Sequence, residues 1–243
     1  NDSELRPYFK LDNVRDGVFT VAYKLFGITF TPLADFPHPH PEAQAFEVKE
    51  TDGSHLGVLY MDFHPRESKQ QGAWCGNYRS YHIVKRKGVT PVVTTVFNFT
   101  STSGDLPALI SVEEASTLYH EFGHSLDALF NKSTYNQTNI AWDFVELPSQ
   151  LMEHWATEPE VLNIYAKHYK TNETIPAELV RKIKNSGYFN QGFETVEYLA
   201  ASLLDMKYHT LEAPAIVDVQ TFEKEYLTGI GLIPEIIPRY RST

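Results

Sequence analysis

Cysteine is nearly absent from this chain of 243 residues. Cys75 stands alone, which excludes an intrachain disulfide. No apolar run approaches the ~18 residues of a membrane-spanning helix. Positive charge is the minority sign, with 21 Lys and Arg against 31 Asp and Glu, for a net charge of −10. The signs are interspersed and no basic stripe exists to meet phosphates, so nucleic acid is excluded as a partner. The acidity serves solubility. No Ser or Cys stands in a nucleophile signature, and Cys75, set among Gly72, Trp74 and Tyr78, reads as a packed or loop thiol. There is no internal repeat or low-complexity tract. Neither a signal peptide nor an initiator Met is visible, so a cytoplasmic and a periplasmic location both stay open.

What is present fits a soluble globular chain. The hydrophobic content is 42%, and the length suits one large domain or two small ones. Residues 120–124 read His-Glu-Phe-Gly-His. On a helix, residues four apart share a face. His120 and His124 can therefore offer two imidazoles to one metal ion, with Glu121 at the rim. Two neutral nitrogen donors and a carboxylate placed to take a proton from water are the parts of a zinc peptidase.

The context favours a helix. Ser111 sits three residues before Glu114, a capping box. From Val112 to Phe130 there is no Pro, and Gly123 is the one Gly. Leu118, Phe122, Leu126 and Leu129 form a core-facing stripe over about five turns. Gly104 and Pro107 mark the loop before it.

A catalytic zinc needs a third protein ligand and an open position. The segment Asp143-Phe-Val-Glu-Leu-Pro-Ser-Gln150 offers Glu146. An equal alternative makes Glu146 the N3 residue of a helix capped by Asp143. Glu153, two turns beyond Glu146, could hold a ligand histidine by a hydrogen bond, or be a solvated surface Glu. Asp143 is a weaker candidate for the same supporting role.

Elsewhere, residues 12–26 read as an amphipathic helix stopped by Gly27. Residues 31–41 form a Pro-rich loop with exposed His38 and His40. Residues 45–51 and 55–63 are strands around Asp52-Gly53, and 92–99 is a third strand. Either residues 92–99 or residues 72–77 could pair with an extended substrate. Helices are expected from about Asp143, from Thr157-Glu-Pro-Glu160 in capping-box style, over 174–184 and over 190–212. The last should pack Leu199, Leu203 and Met206, with Phe193, Tyr198 and Tyr208 in its core. Residues 229–238 form an irregular exit. The fold class is α+β, a mainly helical zincin-like domain with a small antiparallel sheet, and no linker breaks residues 1–243. Sequons at Asn98, Asn131, Asn136 and Asn172 matter only in a glycosylating host.

Several longer runs carry a resemblance. Phe-Gly-Ile-Thr-Phe (26–30), Gly-Ala-Trp (72–74), Asn-Phe-Thr (98–100) and His-Glu-Phe-Gly-His-Ser-Leu (120–126) come first. Asp-Phe-Val-Glu-Leu-Pro-Ser-Gln (143–150), Glu-His-Trp-Ala (153–156), Leu-Leu-Asp-Met (203–206) and Pro-Arg-Tyr-Arg-Ser (238–242) follow. Together they resemble the catalytic region of the thimet oligopeptidase family of metallopeptidases, in particular its bacterial peptidyl-dipeptidase branch. The resemblance implies one zinc ion per chain, held by His120, His124 and Glu146, with Glu121 as general base. It implies short peptide substrates, with dipeptides released from the C-terminus or, as in the endopeptidase cousins, internal cleavage. It also implies that the chain is part of a longer protein, because family members carry a helical portion before this region and a substrate-binding segment rich in His, Gly and Tyr after it. On that view the excerpt alone is an incomplete enzyme, and a non-catalytic zinc- or peptide-binding module is the rival reading. No membrane or obligate protein partner is implied.

Overall fold

The computed structural model describes residues 2–101, 104, 106–133, 140–212 and 218–236. The run at 238–242 and the sequon at Asn136 lie outside them. The chain divides into two units, Asn1–Arg181 and Lys182–Thr243.

In the first unit a single turn, α1 (Asp2–Leu5), and a 3-10 turn lead into α2 (Leu11–Phe26). Val14, Val18, Val21 and Ala22 line its buried face, and Gly27 ends it in the left-handed region with its N–H on Tyr23 O. The strands β1 (Thr29–Pro32), β2 (Gln44–Lys49) and β3 (His55–Asp62) follow. The β2–β3 turn carries Asp52-Gly53 as expected, with Gly53 at φ 82°. Then come β4 (Trp74–Arg79), the hairpin strands β5 (His82–Val84) and β6 (Lys87–Val89), and β7 (Val92–Val96).

The main sheet has the order β1-β2-β3-β7-β4. It is mixed, not antiparallel, because β3 and β7 run parallel, Val58 facing Val92 through Asp62 facing Val96. A parallel pair needs a crossover of a dozen or more residues. Residues 63–91 supply it and lay β4 along the far side of β7 on the way. Hydrophobic pattern alone carries no sign of strand direction, so the sequence reading missed this. The order also places β7 in the interior with a strand on each side, and leaves β4 at the edge.

The helix α3 (Val112–Phe130) lies on this sheet, and the capping box is formed: Glu114 N–H donates to Ser111 Oγ at 3.0 Å and Ser111 N–H to Glu114 Oε2 at 2.7 Å. Phe122 turns away from the histidines into a ring cluster with Phe19 and Phe30, 5.9 and 5.6 Å away. The short helix α4 (Leu147–Ala156) packs against it, and α5 (Pro159–Tyr165) packs on α2. The expected capping box at Thr157 is not made: Glu158 takes the N-cap position without a side-chain bond and Pro159 opens α5. The helix α6 (Ala177–Ser186) starts later than the expected 174, because Thr174 bridges to Lys167 in extended form.

Two polar ties hold the 63–73 segment that leads to β4. The Asn98 side-chain amide donates to Gln70 O at 2.7 Å and Gly72 O at 2.8 Å. Asp62, buried, meets Lys69 at 3.0 Å and Arg66 at 2.7 Å. Burial pushes the Asp62 carboxyl up, but the two cations outweigh it and hold its pKa below the ordinary value. A depressed folded-state pKa stabilises at neutral pH, and that stability is lost as pH falls below the ordinary Asp range of about 4. Asp62→Asn should therefore cost ~3 kcal/mol at pH 7, since it leaves Lys69 buried against a neutral amide. The difference from wild type should shrink as pH falls below about 4. Denaturant unfolding of the full-length protein at pH 7 and pH 3 measures both.

In the second unit, α7 (Gln191–His209) and α8 (Val219–Gly229) pair through Ala200, Leu204, Leu227 and Leu232. Tyr208 stacks on Phe222 at 4.7 Å. The expected stripe is displaced: Leu199, Leu203 and Met206 are exposed, as are Phe193 and Tyr198. The buried face is one residue further round, about 100° on a helix. No described helix is long and apolar enough to cross a membrane.

Candidate metal centre

The sheet-packed face of α3 is apolar, which sends His120 and His124 to its opposite side. Their rings lie 5.0 Å apart, centre to centre. Glu146 reaches them from the start of α4. Its Oε2 stands 3.2 Å from His120 Nε2 and 3.1 Å from His124 Nε2. Donors each about 2.0–2.1 Å from a tetrahedral ion stand roughly 3.3 Å apart, so Glu146 stands from each imidazole at the spacing of a shared ion, and the three ligand atoms lie within 4.8 Å of one another. Two imidazoles and one carboxylate suit zinc, and also Mn²⁺ or Co²⁺.

Of the two readings of Glu146, the helix-cap one fails in the structure. α4 begins at Leu147, Glu146 itself occupies the N-cap position, and no side chain caps the helix. Asp143 lies exposed in the preceding turn, and nothing places it at the histidines. Glu153 is at the site: its Oε1 lies 2.5 Å from His120 Nδ1. A carboxylate there requires Nδ1 to carry the proton, which leaves the Nε2 lone pair for a cation.

The charges are arranged to suit a cation. Glu146 has a lowered pKa, first because Ser149 Oγ donates to its Oε2 at 2.7 Å, with His124 and His120 adding to the effect against burial. Burial pushes the His124 imidazole down, which keeps it neutral and able to donate its lone pair. Glu121 is only 7% exposed. Burial pushes its carboxyl up; His120 opposes the rise and Glu146 adds to it.

His120, Glu121 and Glu153 open on a cleft of about 450 Å³ whose wall also includes Ala73, Glu113, Ser116 and Thr117. Ala73 directly precedes the edge strand β4, so cleft and sheet edge adjoin. Cys75 on that strand is a packed thiol. Its Sγ lies 3.6 Å from Ser125 Oγ, and burial raises its pKa to about 11.

Ser149, whose hydroxyl donates to Glu146, is the residue at this site that sequence reasoning missed. Its signal was present as Glu-x-x-Ser across the start of a helix, the spacing at which a hydroxyl meets the earlier side chain. The cleft wall of Ser116 and Thr117 was legible too, one turn before His120 on the same helix face.

The sequence aligns with known proteins over its whole length. A dipeptidyl carboxypeptidase of Escherichia coli is 41% identical over 249 aligned residues, which cover 100% of this chain and 36% of that protein. The organellar oligopeptidase A of Arabidopsis thaliana is 37% identical over 88% of this chain and 28% of its own length. Oligopeptidase A of Salmonella typhimurium is 34% identical over 86% of this chain and 32% of its own. This chain therefore spans about a third of the relatives it matches. The profile of peptidase family M3 matches residues 1–229, from ahead of α1 to the end of α8. That span contains both histidines, Glu121 and Glu146, and with it the chain belongs to peptidase family M3.

Proposed function

We propose that the protein containing this chain hydrolyses short peptides with one zinc ion and releases dipeptides from their C-termini. The observation that carries this reading is the meeting of His120 Nε2, His124 Nε2 and Glu146 Oε2 within 4.8 Å, beside a buried Glu121 and above an open cleft. Zinc, when held by those three side chains, polarises the scissile carbonyl and brings water towards a pKa of about 7.

The chain's own residues do the rest. Glu121 takes the proton of the attacking water and returns it to the leaving amine, and its raised pKa suits both halves of that transfer. Glu153 fixes the tautomer and plane of His120. Ser149 holds the Glu146 carboxylate in place. An extended substrate lies along β4, the sheet edge next to the cleft; β7, with both sides paired, is not available to it. Pro at alternate positions of residues 74–77 should raise KM more than it lowers kcat. An unchanged KM for every such variant would remove β4 from the substrate site.

Dipeptide release is favoured over internal cleavage by the 41% identity to a dipeptidyl carboxypeptidase. The likeness to oligopeptidase A supports the second reading, an endopeptidase on short peptides. The test uses the full-length protein and a peptide of about eight residues, as free acid and as C-terminal amide, with products read by mass spectrometry. Stepwise loss of dipeptides from the free acid alone supports the first reading. Internal cleavage of both peptides supports the second. No cleavage of either by zinc-loaded protein overturns both and leaves a non-catalytic metal-binding module.

A further inference from the structure

Gly123 is a mid-helix glycine with ordinary helical φ, so backbone conformation does not require it. Glycine is also the poorest interior helix former after proline. Space is the reason it is there. A Cβ built at Gly123 would lie 2.6 Å from Pro148 O, 2.6 Å from Ser149 Cα and 3.0 Å from Pro148 C. All three atoms are backbone of the first turn of α4, the turn that follows Glu146 and holds Ser149.

We infer that Gly123 is a positioning residue for the third metal ligand: its missing side chain lets the start of α4 dock on α3 closely enough for Glu146 to reach both histidines. The inference rests on the zinc reading above. Ordinary contact for a Cβ begins at 3.4 Å, so an alanine would push the first turn of α4 back by close to an ångström. Metal–ligand distances tolerate only about 0.2 Å, and Ser149, in the turn that would move, holds the Glu146 carboxylate to that turn, so the carboxylate would be carried back with it. Gly17 offers a control within the same unit. A Cβ there would lie 2.7 Å from Tyr165 Cβ, where α2 crosses α5. The contact is as tight, but it is made with the side chain of Tyr165 and not with the backbone beside Glu146.

The experiment compares full-length wild type with Gly123→Ala, Gly17→Ala and Glu146→Asp. It measures zinc affinity by chelator competition, the visible absorption of the Co²⁺-loaded proteins, and thermal unfolding without metal. Gly123→Ala should lose at least tenfold in zinc affinity and show an altered Co²⁺ spectrum. Gly17→Ala should lose metal-free stability and keep wild-type affinity and spectrum. Glu146→Asp keeps the glycine and withdraws the carboxylate by one bond, and it should lose affinity like Gly123→Ala; it answers the question even if Gly123→Ala does not fold. Wild-type affinity in Gly123→Ala would overturn the inference while leaving the zinc reading intact, and wild-type affinity in Glu146→Asp would overturn it by showing that the site does not depend on the reach of Glu146. A wild-type protein that takes up no zinc overturns the zinc reading, and the inference with it.

Discussion

Glu121→Gln in the full-length protein should keep about one zinc per chain and lose ~10²–10⁴-fold in kcat, the usual contribution of a positioned general base. The substitution keeps the shape of the side chain and removes its ability to accept a proton. Glu121 is not among the three converging donors, so metal content should not change. Its burial gives the carboxyl a raised pKa, as a group that both takes and returns a proton needs. A structural metal site has no use for an unliganded carboxylate beside its histidines. Metal analysis and turnover on one preparation decide the matter. Wild-type turnover removes Glu121 from the base role. Lost turnover together with lost zinc assigns it to holding the metal instead.

Glu146→Ala should have the opposite signature, with metal and activity lost together. Removing Glu146 leaves the two imidazoles without the carboxylate that converges on them, and among the described residues only Glu153 then ties α4 to the histidines. Loss of an outer hydrogen-bond partner costs ~10–100-fold in metal affinity, and loss of a ligand should exceed that. Glu153→Gln marks the lower bound, because it weakens only the hold on His120 Nδ1. The expected order of zinc affinity is wild type, then Glu153→Gln, then Glu146→Ala, read by chelator competition. Equal affinity for wild type and Glu146→Ala would show that the third ligand lies elsewhere.

The legible parts of this protein are those written by local rules. The capping box at Ser111 and Glu114, the apolar stripe of α3, the Gly27 stop and the Asp52-Gly53 turn are each set by neighbours a few residues apart, and each stands in the structure. The histidine pair is legible for the same reason. Glu146 was only half legible, because Asp143 and Glu146 have the spacing of a cap as well as of a ligand, and only the docking of α4 on α3 separates the two. What the sequence hid is long-range. The parallel β3–β7 pair depends on the route of residues 63–91. The buried face of α7 depends on where α8 lies: Ala200 and Leu204 make as good a stripe as Leu199 and Leu203 until Leu227 and Leu232 select one.

The five letters of the motif answer to different forces. His120 and His124 face Glu146, Glu121 the cleft, Phe122 the aromatic core and Gly123 the backbone of α4. Saturation mutagenesis of residues 120–124 should therefore yield five intolerant positions that look alike when scored by growth or activity. They should part into four classes when each variant is also scored for metal content, metal geometry and melting temperature. A pentapeptide grafted onto another helix would keep its letters and lose these constraints, since all five residues owe their roles to what surrounds the helix, the histidines to Glu146 and Glu153.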